Sequence, residues 1–164
     1  QQYCEKVVGI KLGSKPLRLL TGLAANKAMS VANFYSRALQ QRFNTLVDQE
    51  QFDAIICTAS SMAEYVFKAA PANAFKRSAL LMDFMDLDSD KWRQYAENKP
   101  WFTRWIYARE QRKLAIYEQQ VLNDFNAVTL ISDEEANVLN GSDFTLCLTS
   151  QATEKQLKTL SIMK

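Results

Sequence analysis

The chain has 164 residues, 48% of them hydrophobic and 23% charged, with a formal net charge of +2. That is enough for one domain with a core, and it sets aside nucleic-acid partners and intrinsic disorder. There is no histidine, so neither the commonest general base nor the usual zinc ligand is available.

In chain order, YCEKVVGIKL (3–12) predicts a strand and Gly13 to Pro16 a break. LRLLTGLAANKA (17–28) predicts a short helix weakened by Gly22. SVANFYS (30–36) is ambiguous. RALQQRFNTLVDQEQ (37–51) is helical, with Leu39, Phe43, Leu46 and Val47 on one face. FDAIICTA (52–59) is a compact strand, expected to be buried on both sides. SSMAEYVFKAA (60–70) changes to a helical period, and Ser61 and Glu64 have the spacing of a capping box.

SALLMDFMD (78–86) predicts a second buried strand, and LDSDKWRQYAEN a helix after it. Pro100 opens a long helical pattern over 101–125. Trp101, Trp105 and Ala108 form one stripe there, and Leu114, Tyr117, Val121 and Phe125 another beyond a polar gap at 109–113. NAVTLIS (126–132) is a third strand, and Ser132 and Glu135 repeat the capping-box spacing. FTLCLTS (144–150) suits a fourth strand or a core segment, and QATEKQLKTLSIMK a closing helix. Strands alternating with helices imply an α/β fold with a parallel sheet.

Cys4, Cys57 and Cys147 are far apart and odd in number, with no zinc or disulfide pattern. They read as buried thiols in a reducing compartment. No apolar run approaches twenty residues, and no signal peptide is visible. The chain opens QQYCEKVV rather than with Met, and the expectation is a piece of a longer protein.

Ligands of open α/β sheets meet the C-terminal ends of the strands. Those ends carry Ser60 and Ser61, then the aspartates 83, 86, 88 and 90, then Ser132 and Asp133. Capping of the following helices is the plain reading of Ser61, Asp88 and Ser132, and ligand binding is the other. Capping does not explain Asp83, inside an apolar strand where an unpaired carboxylate is costly.

Asp86, Asp88, Asp90 and Glu97 stand at positions 1, 3, 5 and 12 of a calcium loop, but position 6 is Lys91 where glycine is required. Asp86-Leu87-Asp88 has the Asp-x-Asp form that holds a divalent ion under a sugar nucleotide, a pairing frequent by chance. No metal site is expected. Serine hydrolase, dinucleotide and Walker signatures are all missing. Arg104, Arg109, Arg112 and Lys113 read as a solvated helix face. The other reading is contact with phosphate-bearing or anionic lipid material, with Trp101, Trp105 and Tyr107 at the interface. A buried stripe accounts for much of that aromatic content without a membrane.

TASSMAEYV, LLMDFMDLDSDKWRQYA, PWFTRWIYAREQRKLAIYEQQVLNDFNAVTLISDEEANVL and SVANFYS together resemble one group of glycosyltransferases. These are the sugar transferases of exosortase-type exopolysaccharide loci, within the GT-B, family-4-like superfamily. The resemblance covers about residues 4–139, and DFMDLDSDKWRQYA is its most specific part.

It implies the later part of a Rossmann-like, acceptor-side N-terminal half of a GT-B fold, over residues 1–140, with 141–164 as a divergent tail. It implies transfer from a nucleotide-sugar donor to a glycan or lipid-linked acceptor, typically with retention and without an essential metal or other cofactor. By the same resemblance Ser60, Ser61, Met62, Asp83, Asp88, Lys91 and Ser132 bind acceptor, and Asp86 orients or deprotonates its hydroxyl. The family's opening strand and glycine-rich loop would precede residue 1. Its donor domain has no counterpart here, so this chain alone is expected to be inactive. The alternative is a non-catalytic carbohydrate-binding or interaction module. A cytoplasmic location, peripheral contact with the inner membrane and a homodimer through an exposed apolar sheet edge complete the expectations.

Overall fold

A computed structural model describes residues 6–70, 75, 77–130, 132, 135 and 139, and the backbone of 146–148. Four parallel strands form one open sheet in the order β1-β2-β3-β4: Ala54–Thr58, Ala79–Asp83, Ala127–Leu130 and Leu146–Leu148. Among the described residues, six α-helices accompany it: α1 (Lys15–Ala24), α2 (Met29–Phe34), α3 (Arg37–Gln49), α4 (Ala63–Phe67), α5 (Asp88–Glu97) and α6 (Trp101–Asp124). The alternation of strand and helix from β1 to β3 is the expected α/β pattern.

Two expectations at the start of the chain need correction. Residues 6–12, within the expected first strand, have no regular structure, and 3–5 lie outside the described residues. Gly9 within that stretch and Gly13 just after it weaken a strand that pairs with no other among the described residues. Residues 30–34 of the ambiguous stretch belong to α2, a helix of six residues. Gly22 does more than weaken α1. A Cβ placed there would lie 2.3 Å from Cβ of Ala32, so glycine lets α1 and α2 approach closely. Arg18 ties the same pair, donating from Nε to the Asn33 carbonyl at 2.7 Å.

Alternate residues of the strands build the main core. Cys57, Met82, Val128 and Leu130 pack with Ala63 and Val66 near and in α4 and with Val121, Leu122 and Phe125 at the end of α6. Burial raises the Cys57 thiol to about 11, so it stays protonated and inert. Cys4 and the side chain of Cys147 lie outside the described residues.

The expectation that the first strand is buried on both sides is not met. Among the described residues, the opposite sheet face is open at β1, where Ala54, Ile56 and Thr58 are exposed, Ile56 to 67%. β1 is also an edge strand. The closing helix expected over 151–164 lies outside the described residues. No described helix is long and apolar enough to cross a membrane.

Candidate functional site

The turn after β1 is strained. Ala59 sits at φ 71°, ψ 142°, a region that costs a residue with a Cβ of the order of 1–3 kcal/mol. The strain drives the chain directly into a 3-10 turn, Ser60–Met62, ahead of α4. Met85, in the turn after β2, also has positive φ, 56°.

The expected capping box of Ser61 and Glu64 is absent, because neither the turn nor α4 has a side-chain cap. Glu64 is instead buried and accepts from two ammonium groups, Lys27 Nζ at 2.5 Å and Lys68 Nζ at 2.8 Å. The Ser60 hydroxyl, fully buried, donates to Asp88 Oδ2 at 2.6 Å. This bond fastens the end of β1 to the start of α5.

The aspartate-rich segment disperses its carboxylates. Asp83, the last residue of β2, accepts from the Thr129 hydroxyl of β3 at 2.8 Å, which supplies the partner an acid in an apolar strand requires. Asp86 is exposed, with Lys91 Nζ 3.6 Å from its Oδ2. Asp90 receives Arg93 Nε at 2.8 Å and Gln94 Nε2 at 2.7 Å. Among the described residues, no group of three His, Cys, Asp or Glu side chains is placed to hold a metal ion.

Asp88 does not cap α5 as the sequence suggested. Leu87 is the N-cap, without a side-chain bond of its own. The free N–H groups are served from afar: Leu87 donates to Glu135 Oε1 at 3.0 Å and Ser89 to Glu118 Oε1 at 2.9 Å. Ser132 does act as expected, its hydroxyl accepting from the Glu135 N–H at 3.3 Å.

Ser61, Asp88 and Lys91 converge on one cavity of about 410 Å³ between α1, α2 and α5. Its walls add Trp92 and Tyr95 from α5 and Asn33 from α2. The ring centroids of Trp92 and Tyr95 are 6.1 Å apart, with the rings nearly perpendicular. The cavity thus combines aromatic faces with a carboxylate acceptor, an ammonium donor, a hydroxyl and an amide, suited to a polar ligand with apolar ring faces. Asp86 is not among its lining residues and stands beside it through Lys91. Ser60 lies behind it. Met62 packs against the main core, and Asp83 and Ser132 are held in the contacts given above.

The chain matches no family model, no curated protein and no solved structure.

Sequence reasoning missed the aromatic wall and two buried acids on α6. Trp92 and Tyr95 are three apart on one helix, the spacing that puts two rings on one face. Glu110 and Glu118 are fully buried on α6. Glu110 accepts from the N–H groups of Met29 and Ser30, at 2.8 and 2.7 Å, capping α2 across the fold. Glu118 binds Ser89 through one oxygen, and its other oxygen has no hydrogen-bond partner. Burial pushes its carboxyl up to about 7 against the Ser89 hydrogen bonds that lower it. The signal was available: both glutamates continue the helical stripe of Leu114, one turn to either side.

Proposed function

We propose that this chain is acceptor-side material of a GT-B, family-4-like glycosyltransferase of the exopolysaccharide-associated group. It uses the end of its sheet to hold a glycan or lipid-linked acceptor. The observation that carries the reading is the cavity joining Ser61, Asp88 and Lys91 to Trp92 and Tyr95. Sugars combine hydroxyl-rich edges with apolar C–H faces. Rings accept the faces, and Asp88, Ser61 and Asn33 bond the edges. Lys91 supplies a positive charge for an acid or phosphate on the acceptor.

In the transfer itself, the acceptor hydroxyl attacks the anomeric carbon of the nucleotide sugar and the bond to the diphosphate breaks. Asp86, exposed beside Lys91, is the group that orients or deprotonates that hydroxyl. Its Oδ2 lies 3.6 Å from the Lys91 ammonium and must leave it to take the proton. Ser60 acts indirectly, by fixing Asp88. The donor's diphosphate has no partner in this reading except residues of a second, donor-side domain. Under this reading, the expected outcome for the purified chain assayed alone is no transfer and no donor hydrolysis.

A second reading, a carbohydrate-binding module without turnover, is favoured by one feature: the cavity is assembled by this chain alone. Titration with a panel of short oligosaccharides and polyprenyl-phosphate-linked sugars, followed by ligand-observed NMR, tests the shared core of both readings. Binding that is lost in Trp92→Ala and Asp88→Ala is expected. Absence of binding across the panel, or binding indifferent to both substitutions, refutes it. Sugar transfer that appears only when a donor-domain polypeptide is added distinguishes the transferase from the module.

A further inference from the structure

The first stripe of α6 behaves opposite to expectation. Trp101, Trp105 and Ala108 do share a face, but the tryptophans point to solvent, 85% and 62% exposed, with Phe102 beside them at 59%. At 3.6 residues per turn, Arg104, Arg112 and Ile116 fall on the same side, and all three are exposed. The face diametrically opposite carries the buried Glu110, Leu114, Glu118 and Val121. The outer surface of α6 is therefore an amphipathic strip of aromatic rings, an aliphatic side chain and guanidinium groups. Trp101 and Phe102 are in edge contact, with centroids 6.0 Å apart, so the patch is continuous.

We infer that this outer face of α6 docks on an anionic lipid bilayer. Three features select that occupant. Tryptophan and arginine side by side are the composition of membrane–water interfaces, where indole rings sit at headgroup level and guanidinium groups meet phosphate. Charge is complementary: this face carries the exposed Arg104 and Arg112, and the one acid between Lys99 and Lys113, Glu110, is buried. The face is also the outside of a helix of 24 residues. Such a helix presents a convex line to a planar surface and lies in its plane, whereas a groove would fit a peptide. This docking does not rest on the sugar-transfer reading, and either can hold without the other.

Co-sedimentation of the full chain with lipid vesicles tests the inference. Phosphatidylcholine and phosphatidylglycerol in equal parts should bind the protein and shift its tryptophan emission to the blue. Pure phosphatidylcholine should bind it far less. Trp101→Ala with Trp105→Ala should weaken binding about tenfold or more. Arg104→Glu with Arg112→Glu should weaken it about twentyfold or more and abolish the preference for the anionic lipid. All four side chains are exposed, and circular dichroism checks that each variant keeps the native fold. Failure of the native chain to sediment with either vesicle overturns the inference. So does sedimentation unchanged in both variants. A stable homodimer in light scattering, dissolved by the tryptophan substitutions, assigns the face to a second copy and equally overturns it.

Discussion

Glu118 makes the stability of this fold depend on pH in a definite direction. The carboxyl is fully buried between α5 and α6, with one oxygen on the Ser89 N–H and the other unpartnered. Burial raises it from 4.5 to about 7, and the nearby Asp88 charge adds to the rise. Below 4.5 the group is protonated in the folded and unfolded chains alike, and its full contribution is present. Between 4.5 and about 7 the unfolded chain releases the proton while the folded chain keeps it, so stability falls as pH rises. Above about 7 both forms are ionised and the loss is complete, at about 3 kcal/mol.

Glu118→Gln keeps a carbonyl for Ser89 and has no proton to lose. Urea unfolding of both proteins at several pH values isolates the effect, because titrating groups not coupled to Glu118 cancel in the difference. The variant should match the native protein near pH 4 and exceed it by about 3 kcal/mol at pH 8. Curves that stay parallel to within about 0.5 kcal/mol across that range would show that Glu118 does not carry a raised carboxyl.

Glu110→Ala should be among the most damaging single changes. It strips the caps from Met29 and Ser30 and leaves two partly buried N–H groups unpaired, a loss of about 3 kcal/mol, read as a melting temperature lower by about 10 °C. Ala59→Gly should do the opposite. Glycine occupies φ 71°, ψ 142° without a Cβ penalty, so thermal unfolding should show a gain of about 1 kcal/mol. An unchanged melting temperature in either variant counts against the contact or the strain invoked.

The strands and the long helix were legible because their signals are local. FDAIICTA, SALLMDFMD and NAVTLIS are compact apolar runs, and each holds a strand in the parallel sheet. Pro100 marked the start of α6 within a residue. Helix caps escaped the sequence where the partner is distant. Glu110 meets Met29 across 81 positions and Glu118 meets Ser89 across 29, and no window of sequence contains both members. The Trp101–Trp105 stripe was legible as a stripe, but periodicity gives a face and not its direction. The reading of a buried aromatic stripe was inverted at the tryptophans, which are exposed, while Arg104 and Arg112 are exposed as a solvated face requires. The cavity was half legible. Ser61 and Asp88 follow from the strand-end rule and Lys91 from the resemblance, whereas the α1 and α2 side of the wall comes from a stretch whose period is ambiguous.

The two buried glutamates give that wall its shape. α2 and α5 face each other across the cavity, through Asn33 on one side and Asp88, Lys91, Trp92 and Tyr95 on the other. Neither helix caps itself: α2 begins after Ala28 and α5 after Leu87, both without a side-chain bond. α2 takes its cap from Glu110 and α5 one of its caps from Glu118, eight positions apart and on the same face of one rigid helix. A helix N-terminus attracts a carboxylate because its free N–H groups and its dipole point the same way. A buried carboxylate needs such donors to remain buried. Each requirement is met by the other, so the separation of the two glutamates along α6 sets the separation of the cavity walls. The same helix turns its opposite face, with Trp101 and Trp105, to solvent. Any load on that outer face bears on the element that spaces the walls. A surface bound there and a ligand bound inside would thus act on one helix from its two sides.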